Sequence, residues 1–181
     1  DAHPGGPVAM PPVTGALLGA NILVFVLQLA GVPLVAEFAL WPPASGPRAG
    51  PDFEFWQLLT YSFLHGSLLH IAFNMLALYT FGRDVERLFG SVWYLQYYLV
   101  CVVTAALSHL AVTAWMGAPP FPTVGASGGV YGLLLAYGMF FPHRMVMLIF
   151  PPIPMPARVF VIFYAALELY LGVTGTQAGV A

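Results

Sequence analysis

Long apolar runs alternate along the chain with short segments that are rich in proline, glycine or charge. Five runs approach or exceed the roughly 20 residues that an α-helix needs to cross a membrane. They predict helices at 13–30, 57–82, 91–115, 126–141 and 157–173. A proline at 142 ends the fourth helix, and the prolines between 151 and 156 exclude a helix there. The pattern predicts an all-α integral membrane protein.

The segments outside these helices predict the domain organisation. Residues 1–12 are rich in proline and glycine and are expected to form a flexible tail ahead of one membrane domain, 13–181. The connection at 31–55 is long and carries several aromatic residues. Because aromatic side chains favour the level of the lipid headgroups, we expect 31–55 to lie in the membrane interface.

Composition supports a membrane protein and excludes other classes. Hydrophobic residues make up 60% of the chain and charged residues only 7%, whereas soluble domains carry about 25% charged residues. The net charge of −2 gives no sign of nucleic-acid binding. One cysteine excludes an intramolecular disulfide. The histidines and acids show no clustered ligand spacing, so neither a metal nor a cofactor is expected.

The arginines predict the orientation of the chain. There is no lysine, and four of the five arginines fall in the connections after the second and fourth helices or, for Arg158, at the end of such a connection. Positive residues concentrate on the cytoplasmic side of membrane proteins. The N-terminus is therefore predicted to be cytoplasmic, with 31–55 and 117–124 facing outward.

Four polar residues lie in apolar surroundings near the predicted outer ends of the second and fourth helices: His65, His70, Asn74 and Ser127. Such residues are costly within a membrane and indicate function. His70 and Asn74 are four apart and share a helix face. His65, five before His70 and roughly 140° around a continuous helix, is expected to point elsewhere and brace the outer loop.

Ser127 begins a helix and is surrounded by glycines, including Gly125 and Gly128. Free backbone N–H groups and the positive end of the helix dipole could stabilise an oxyanion there. Gly125-x-x-x-Gly129 and Gly128-x-x-x-Gly132 would let another helix approach closely. Tyr131, one turn below Ser127, could pack against a catalytic imidazole.

Each feature alone also has a structural interpretation. Glycine and serine at a membrane helix usually serve packing, and His70 with Asn74 could form an interhelical hydrogen-bond clamp. Their combination at matched depth favours a hydrolytic site within the membrane. A small transporter or channel is disfavoured, because its polar residues would run through the whole depth.

The chain resembles the rhomboid family of intramembrane serine proteases. The resemblance rests on the segment from His65 to Asn74 (HGSLLHIAFN), on FGRDVER at 81–87 and on GASG at 125–128, and is expected to extend from the first helix onward. It implies a rhomboid-like bundle that cleaves transmembrane segments of other proteins, in a bacterial plasma membrane, with its site open to the outer side.

The resemblance also implies a role for each site residue. Ser127 would be the nucleophile, and His70 and Asn74 would stabilise the oxyanion with the Ser127 amide. Tyr131 would stack on the catalytic histidine, and His65 would be structural. Trp56-Gln57 stands where many members have Trp-Arg.

The family carries its general base on a sixth helix that begins near Gly-x-Ala-His. Gly179-Val180-Ala181 resembles the approach to that histidine. We interpret the chain as five of the six helices, without the base and therefore inactive as given. His109 lies at a suitable depth for a base, but an interhelical hydrogen bond is favoured. The alternative is a catalytically dead relative that binds transmembrane segments.

Overall fold

The computed structural model describes residues 9–43, 51–117, 121–147 and 152–173, with side chains to residue 166. Apart from two three-residue strands, regular structure in these ranges is helical. The elements are α1 (Pro12–Leu29), α2 (Leu34–Phe38), α3 (Gln57–Thr60), α4 (Leu68–Ala77), α5 (Arg83–Phe89), α6 (Ser91–Met116), α7 (Ser127–Phe140), β1 (Met145–Met147), β2 (Pro154–Pro156) and α8 (Ala157–Val173). Four of the five predicted helices correspond to α1, α6, α7 and α8 within one or two residues.

The helices α1 and α6 are long and apolar enough to cross a membrane. Only 22% and 11% of their apolar spans are buried inside the protein. A core helix of a soluble protein would instead be mostly buried, so these exposed apolar faces are suited to contact with lipid.

The prediction of one continuous helix over 57–82 was wrong. The chain forms α3 and a 3-10 turn at Tyr61–Phe63, leaves helical structure, and begins again at α4. The hydroxyl of Ser67 accepts a hydrogen bond from the His70 amide and so caps the new helix. A π-helical turn, Leu78–Gly82, then leads directly into α5, so the charged segment predicted to lie between helices is itself helical.

Close packing of α6 against α7 forms the centre of the bundle. Side chains at four-residue spacing on α6 are buried: Tyr94, Tyr98, Val102 and Ala106. A Cβ atom on Gly128, Gly129 or Gly132 would collide with Ala105, Tyr98 or Cys101, respectively. The predicted close approach of a second helix to these glycines is confirmed.

At the predicted cytoplasmic end, a carboxylate from α5 caps α1. Glu86 is 2% exposed and accepts hydrogen bonds from the amides of Val13 (3.0 Å) and Thr14 (2.7 Å). The hydroxyls of Thr14 and Ser91 each donate to it at 2.7 Å. Because α1 begins with a proline and its N-cap has no side-chain acceptor, Glu86 supplies the missing cap from another helix.

Two segments outside the long helices form contacts that the sequence did not predict, although the connection at 152–156 is free of helix as expected. Residues 1–8 lie outside the described ranges, but Pro11 is buried and the Ala9 carbonyl accepts a hydrogen bond from Arg87 at 3.4 Å. The end of the predicted tail thus packs on the bundle. In the connection before α8, β1 and β2 pair antiparallel with Met145 opposite Pro156.

Candidate active site

Ser127 is the first residue of α7 and is partly buried. The first helical hydrogen bond of α7 runs from the Val130 amide to the carbonyl of Ala126, the residue before the helix, at 3.0 Å. The amides of Ser127, Gly128 and Gly129 therefore precede the first closed turn and have no intrahelical acceptor. Such donors, at the positive end of the helix dipole, can stabilise a negative oxygen.

His70 and Asn74 both lie on α4, which contacts α7. His70 is partly buried and Asn74 is 7% exposed. The four-residue spacing gives them a common face of the helix, as predicted. The structure thus puts Ser127 and these two polar groups on a pair of touching helices.

The expectation that His65 points away from His70 was wrong. It assumed one continuous helix, whereas His65 precedes the Ser67 cap and is not helical. Its ring packs edge-on against His70 (centroids 5.1 Å apart) and against Phe25 of α1 (6.4 Å). Neither ring nitrogen meets hydrogen-bond geometry with any residue in the described ranges.

The backbone of His65, rather than its ring, provides the local bracing. Gln28 at the end of α1 accepts from the His65 amide at 3.0 Å and donates to the His65 carbonyl at 3.2 Å. This paired contact fixes the turn before α4 to α1. The sequence analysis missed Gln28, although a polar amide near the end of an apolar run was a usable signal.

The segment before Ser127 is fixed by backbone hydrogen bonds. Gly125 adopts φ +135°, a conformation that suits glycine, and its amide donates to the Tyr61 carbonyl at 3.0 Å. The Tyr61 hydroxyl donates to the Val102 carbonyl on α6 at 2.9 Å. The 3-10 turn thus connects the start of α7 to α6.

Tyr131 lies one turn after Ser127 and is 37% exposed. Its ring packs against Tyr164 of α8, with centroids 5.7 Å apart. The predicted stack on a catalytic imidazole stays a prediction.

His109 of α6 bonds to the connection that precedes α7. Its Nε2 lies 2.7 Å from the hydroxyl oxygen of Thr123. The predicted hydrogen bond of His109 is therefore present, although its partner lies in a connection rather than on another helix. Thr123 was not identified from the sequence, since an isolated threonine in a loop carries no distinctive pattern.

Gln57 organises the outer loop. It is 1% exposed and accepts from the Trp41 amide at 3.2 Å. Its amide nitrogen donates to the carbonyls of Glu37 (3.2 Å) and Asp52 (3.4 Å). These bonds connect both halves of the loop to α3.

Within the part of the chain that the structure describes, no group of three or more His, Cys, Asp or Glu side chains could hold a metal ion. The arrangement offers instead an alcohol at a helix start, free amides beside it, and an imidazole and a carboxamide on the neighbouring helix. Together with a general base, these are the parts that nucleophilic attack on a carbonyl requires.

The fold is a helical bundle with two long apolar helices that are mostly unburied, and the helices that carry Ser127, His70 and Asn74 are in contact. Residues 52–181 match the family profile of the Rhomboid domain. The chain therefore belongs to the rhomboid family, and its predicted all-α membrane fold is confirmed. The family match begins at residue 52, so α1 lies outside it, although we expected the resemblance to begin there.

Two curated relatives of the chain are also named as rhomboid proteins. The chain is 40% identical over 125 residues to Rhomboid protease GluP of Bacillus subtilis (strain 168), covering 68% of this chain and 24% of that protein. It is 32% identical over 114 residues to Rhomboid-like protein 15 of Arabidopsis thaliana, covering 62% of this chain and 27% of that protein. The chain thus spans about a quarter of the length of each.

Proposed function

We propose that the complete protein is an intramembrane serine endopeptidase that cleaves transmembrane segments of other membrane proteins. The observation that carries this proposal is the place of Ser127 at the start of α7, beside free amides and against the helix with His70 and Asn74. Membership of the rhomboid family and the similarity to a relative called a rhomboid protease support it.

In the proposed reaction, Ser127 Oγ attacks the carbonyl carbon of the scissile peptide while a general base takes its proton. The carbonyl oxygen becomes an oxyanion, which accepts hydrogen bonds from the Ser127 amide and the side chains of His70 and Asn74. Collapse breaks the C–N bond, and the base returns the proton to the leaving amine. Water then hydrolyses the acyl-enzyme by the same steps.

We assign the base to a histidine that follows residue 181 in the complete protein, giving a Ser–His dyad. Three histidines in the described ranges support this choice because each has another environment. His109 Nε2 is occupied by Thr123, and the His65 ring is buried between Phe25 and His70. His143 is at the opposite end of α7 from Ser127. The segment 13–181 alone would then be inactive.

The proposed substrate is a membrane-spanning helix. Its backbone hydrogen bonds are all internal in lipid, so the scissile bond must unwind before Ser127 can reach it. Small or helix-destabilising residues near the outer face should favour cleavage. The distribution of arginines supports a cytoplasmic N-terminus and a site open to the outer side of the membrane. The similarity to a Bacillus subtilis protein supports a bacterial plasma membrane as the location.

The test is cleavage of a single-span reporter by the full-length protein in proteoliposomes. Ser127→Ala should reduce cleavage to background, because a serine nucleophile has no substitute. Ser108→Ala, an exposed serine on α6, is the matched control and should retain the wild-type rate. Undiminished cleavage by Ser127→Ala would refute the nucleophile. A wild-type protein that binds the reporter without cleaving it would instead favour a dead, substrate-binding relative.

A further inference from the structure

His109 is a polar residue on the long apolar helix α6, and the proposed chemistry does not use it. A histidine at such a position carries a free-energy cost unless it has a partner. Its partner is the hydroxyl of Thr123, 2.7 Å from Nε2. The contact joins α6 to the connection that ends at Ser127, four residues after Thr123.

Thr123 is also the residue through which this connection pairs with the outer loop. Its amide donates to the Leu40 carbonyl at 2.9 Å, and its carbonyl accepts from the Leu40 amide at 3.0 Å. Leu40 is fully buried, so the bridge is shielded from competing water. One residue, Thr123, is thus bonded to the outer loop by its backbone and to α6 by its side chain.

The next fixed point lies two residues further on. The Gly125 amide bonds to the Tyr61 carbonyl at 3.0 Å, and α7 starts two residues later with Ser127. Thr123 and Gly125 together set the path by which the chain enters α7. If Thr123 shifted, the direction of the first turn of α7 and of its free amides would change with it.

We propose that His109 is a positioning residue for the start of α7, acting through Thr123 on Ser127 and on the amides that stabilise the oxyanion. The inference rests on the proposed protease function. It assigns His109 no proton transfer: the imidazole serves as a fixed hydrogen-bond partner whose ring is held by α6. Misplacement of catalytic groups by about 1 Å can cost about 100-fold in rate, so a single lost contact should be measurable.

The kinetic test uses the full-length protein and a transmembrane reporter. His109→Leu should lower kcat about tenfold with KM within about twofold, because the reacting groups move while the substrate-binding faces remain. Thr123→Val should have the same effect, and the double variant should be no slower than either single variant, since both remove one contact. His109→Gln, which keeps a hydrogen-bonding group but cannot titrate, should restore kcat to within about threefold.

Thr113→Val is the matched control. Among the described residues, the Thr113 hydroxyl bonds to carbonyls of its own helix, those of His109 and Leu110. The control should keep the wild-type kcat. An equal loss in Thr113→Val and Thr123→Val would overturn the proposal, and so would a His109→Gln variant as slow as His109→Leu.

A second measurement does not depend on catalysis. His109→Leu should raise the hydrogen-exchange rate of the Thr123 and Gly125 amides about tenfold, because their local opening becomes easier. Unchanged exchange would overturn the proposal, as would faster exchange with an unchanged kcat. If the wild type does not cleave, or Ser127→Ala cleaves equally well, the proposed function fails, and amide exchange alone then decides whether His109 positions this connection.

Discussion

The two ends of the bundle are held together by different chemistry. At the predicted outer end, neutral side chains bond mainly to backbone groups: Gln28 to His65, and Gln57 to three residues of the outer loop. At the predicted cytoplasmic end, the buried carboxylate of Glu86 collects four hydrogen bonds. The proposed site, which must admit a substrate, lies at the end held by neutral hydrogen bonds, and the end held by the Glu86 carboxylate lies away from it.

The energetic consequence follows from the type of bond. A neutral hydrogen bond contributes about 1 kcal/mol net, whereas one to a charged group contributes about 1.5–3 kcal/mol. The outer end should therefore open locally at a lower free energy than the cytoplasmic end. In the proposed protease, that difference would give access to Ser127 without loosening the attachment of α1 to α5 and α6.

The charged end also carries a weaker set of contacts. Asp84 pairs with Arg87 at 3.3 Å and with Arg144, and these side chains are partly exposed. Exposed ion pairs contribute about 0–1 kcal/mol. The stability of this end should therefore depend on Glu86 rather than on its arginines.

The largest expected effect is that of Glu86→Ala. The change leaves the Val13 and Thr14 amides and two hydroxyls without their acceptor in a buried setting, which should cost about 3 kcal/mol of unfolding free energy. The measurement is reversible unfolding in mixed detergent and SDS. Asp84→Ala is the matched control, an acidic residue of the same helix whose partners are exposed, and should cost less than about 1 kcal/mol. Equal losses of unfolding free energy in the two variants would contradict the distinction between a buried and an exposed carboxylate.

A smaller effect is expected from Gln57→Ala at the outer end. The variant removes three neutral hydrogen bonds, one of them long, and should cost about 1–2 kcal/mol. The lost bonds are local to the loop. The free energy of local opening measured by hydrogen exchange at the Trp41 amide should therefore fall more than the free energy of global unfolding. Gln96→Ala, an exposed glutamine of α6, is the control and should have no effect on either. If Gln57→Ala lowered the opening free energy equally throughout the bundle, the outer end would not open as a separate local unit.

The sequence predicted the parts of this molecule that depend on local pattern. Apolar runs and prolines were enough for α1, α6, α7 and α8, since membrane-spanning helices satisfy their backbone internally. The glycines of α7 predicted its close packing against a second helix. The spacing of His70 and Asn74 gave their common face.

The features that the sequence did not predict depend on contacts between distant residues. The break before α4 arises from the Ser67 cap within an otherwise apolar run, so hydropathy alone could not reveal it. The sequence analysis did not single out Glu86, because its burial depends on the start of α1, more than 70 residues earlier. Gln57 and Thr123 act through contacts with loops, and such contacts leave no periodic pattern in the sequence.

The smallest expected effect is a pH dependence confined to the charged end. Burial alone would raise the pKa of the Glu86 carboxyl, but hydrogen bonds from Ser91, Thr14 and Val13 outweigh it and lower this pKa from its ordinary value. The stabilisation from Glu86 is therefore fully present above the unfolded-state pKa. It is lost as pH falls through the folded-state pKa, because the unfolded state binds the proton more readily.

The measurement is the unfolding free energy of the wild type minus that of Glu86→Gln, followed from neutral to acidic pH. The difference should shrink on acidification, since glutamine cannot ionise. The corresponding difference for Gln57→Ala should stay flat, because its bonds join an amide to backbone groups. A Glu86 difference that stays flat or grows on acidification would mean that the carboxylate is not stabilised by its four donors, and the contrast between a charged and a neutral end would fail.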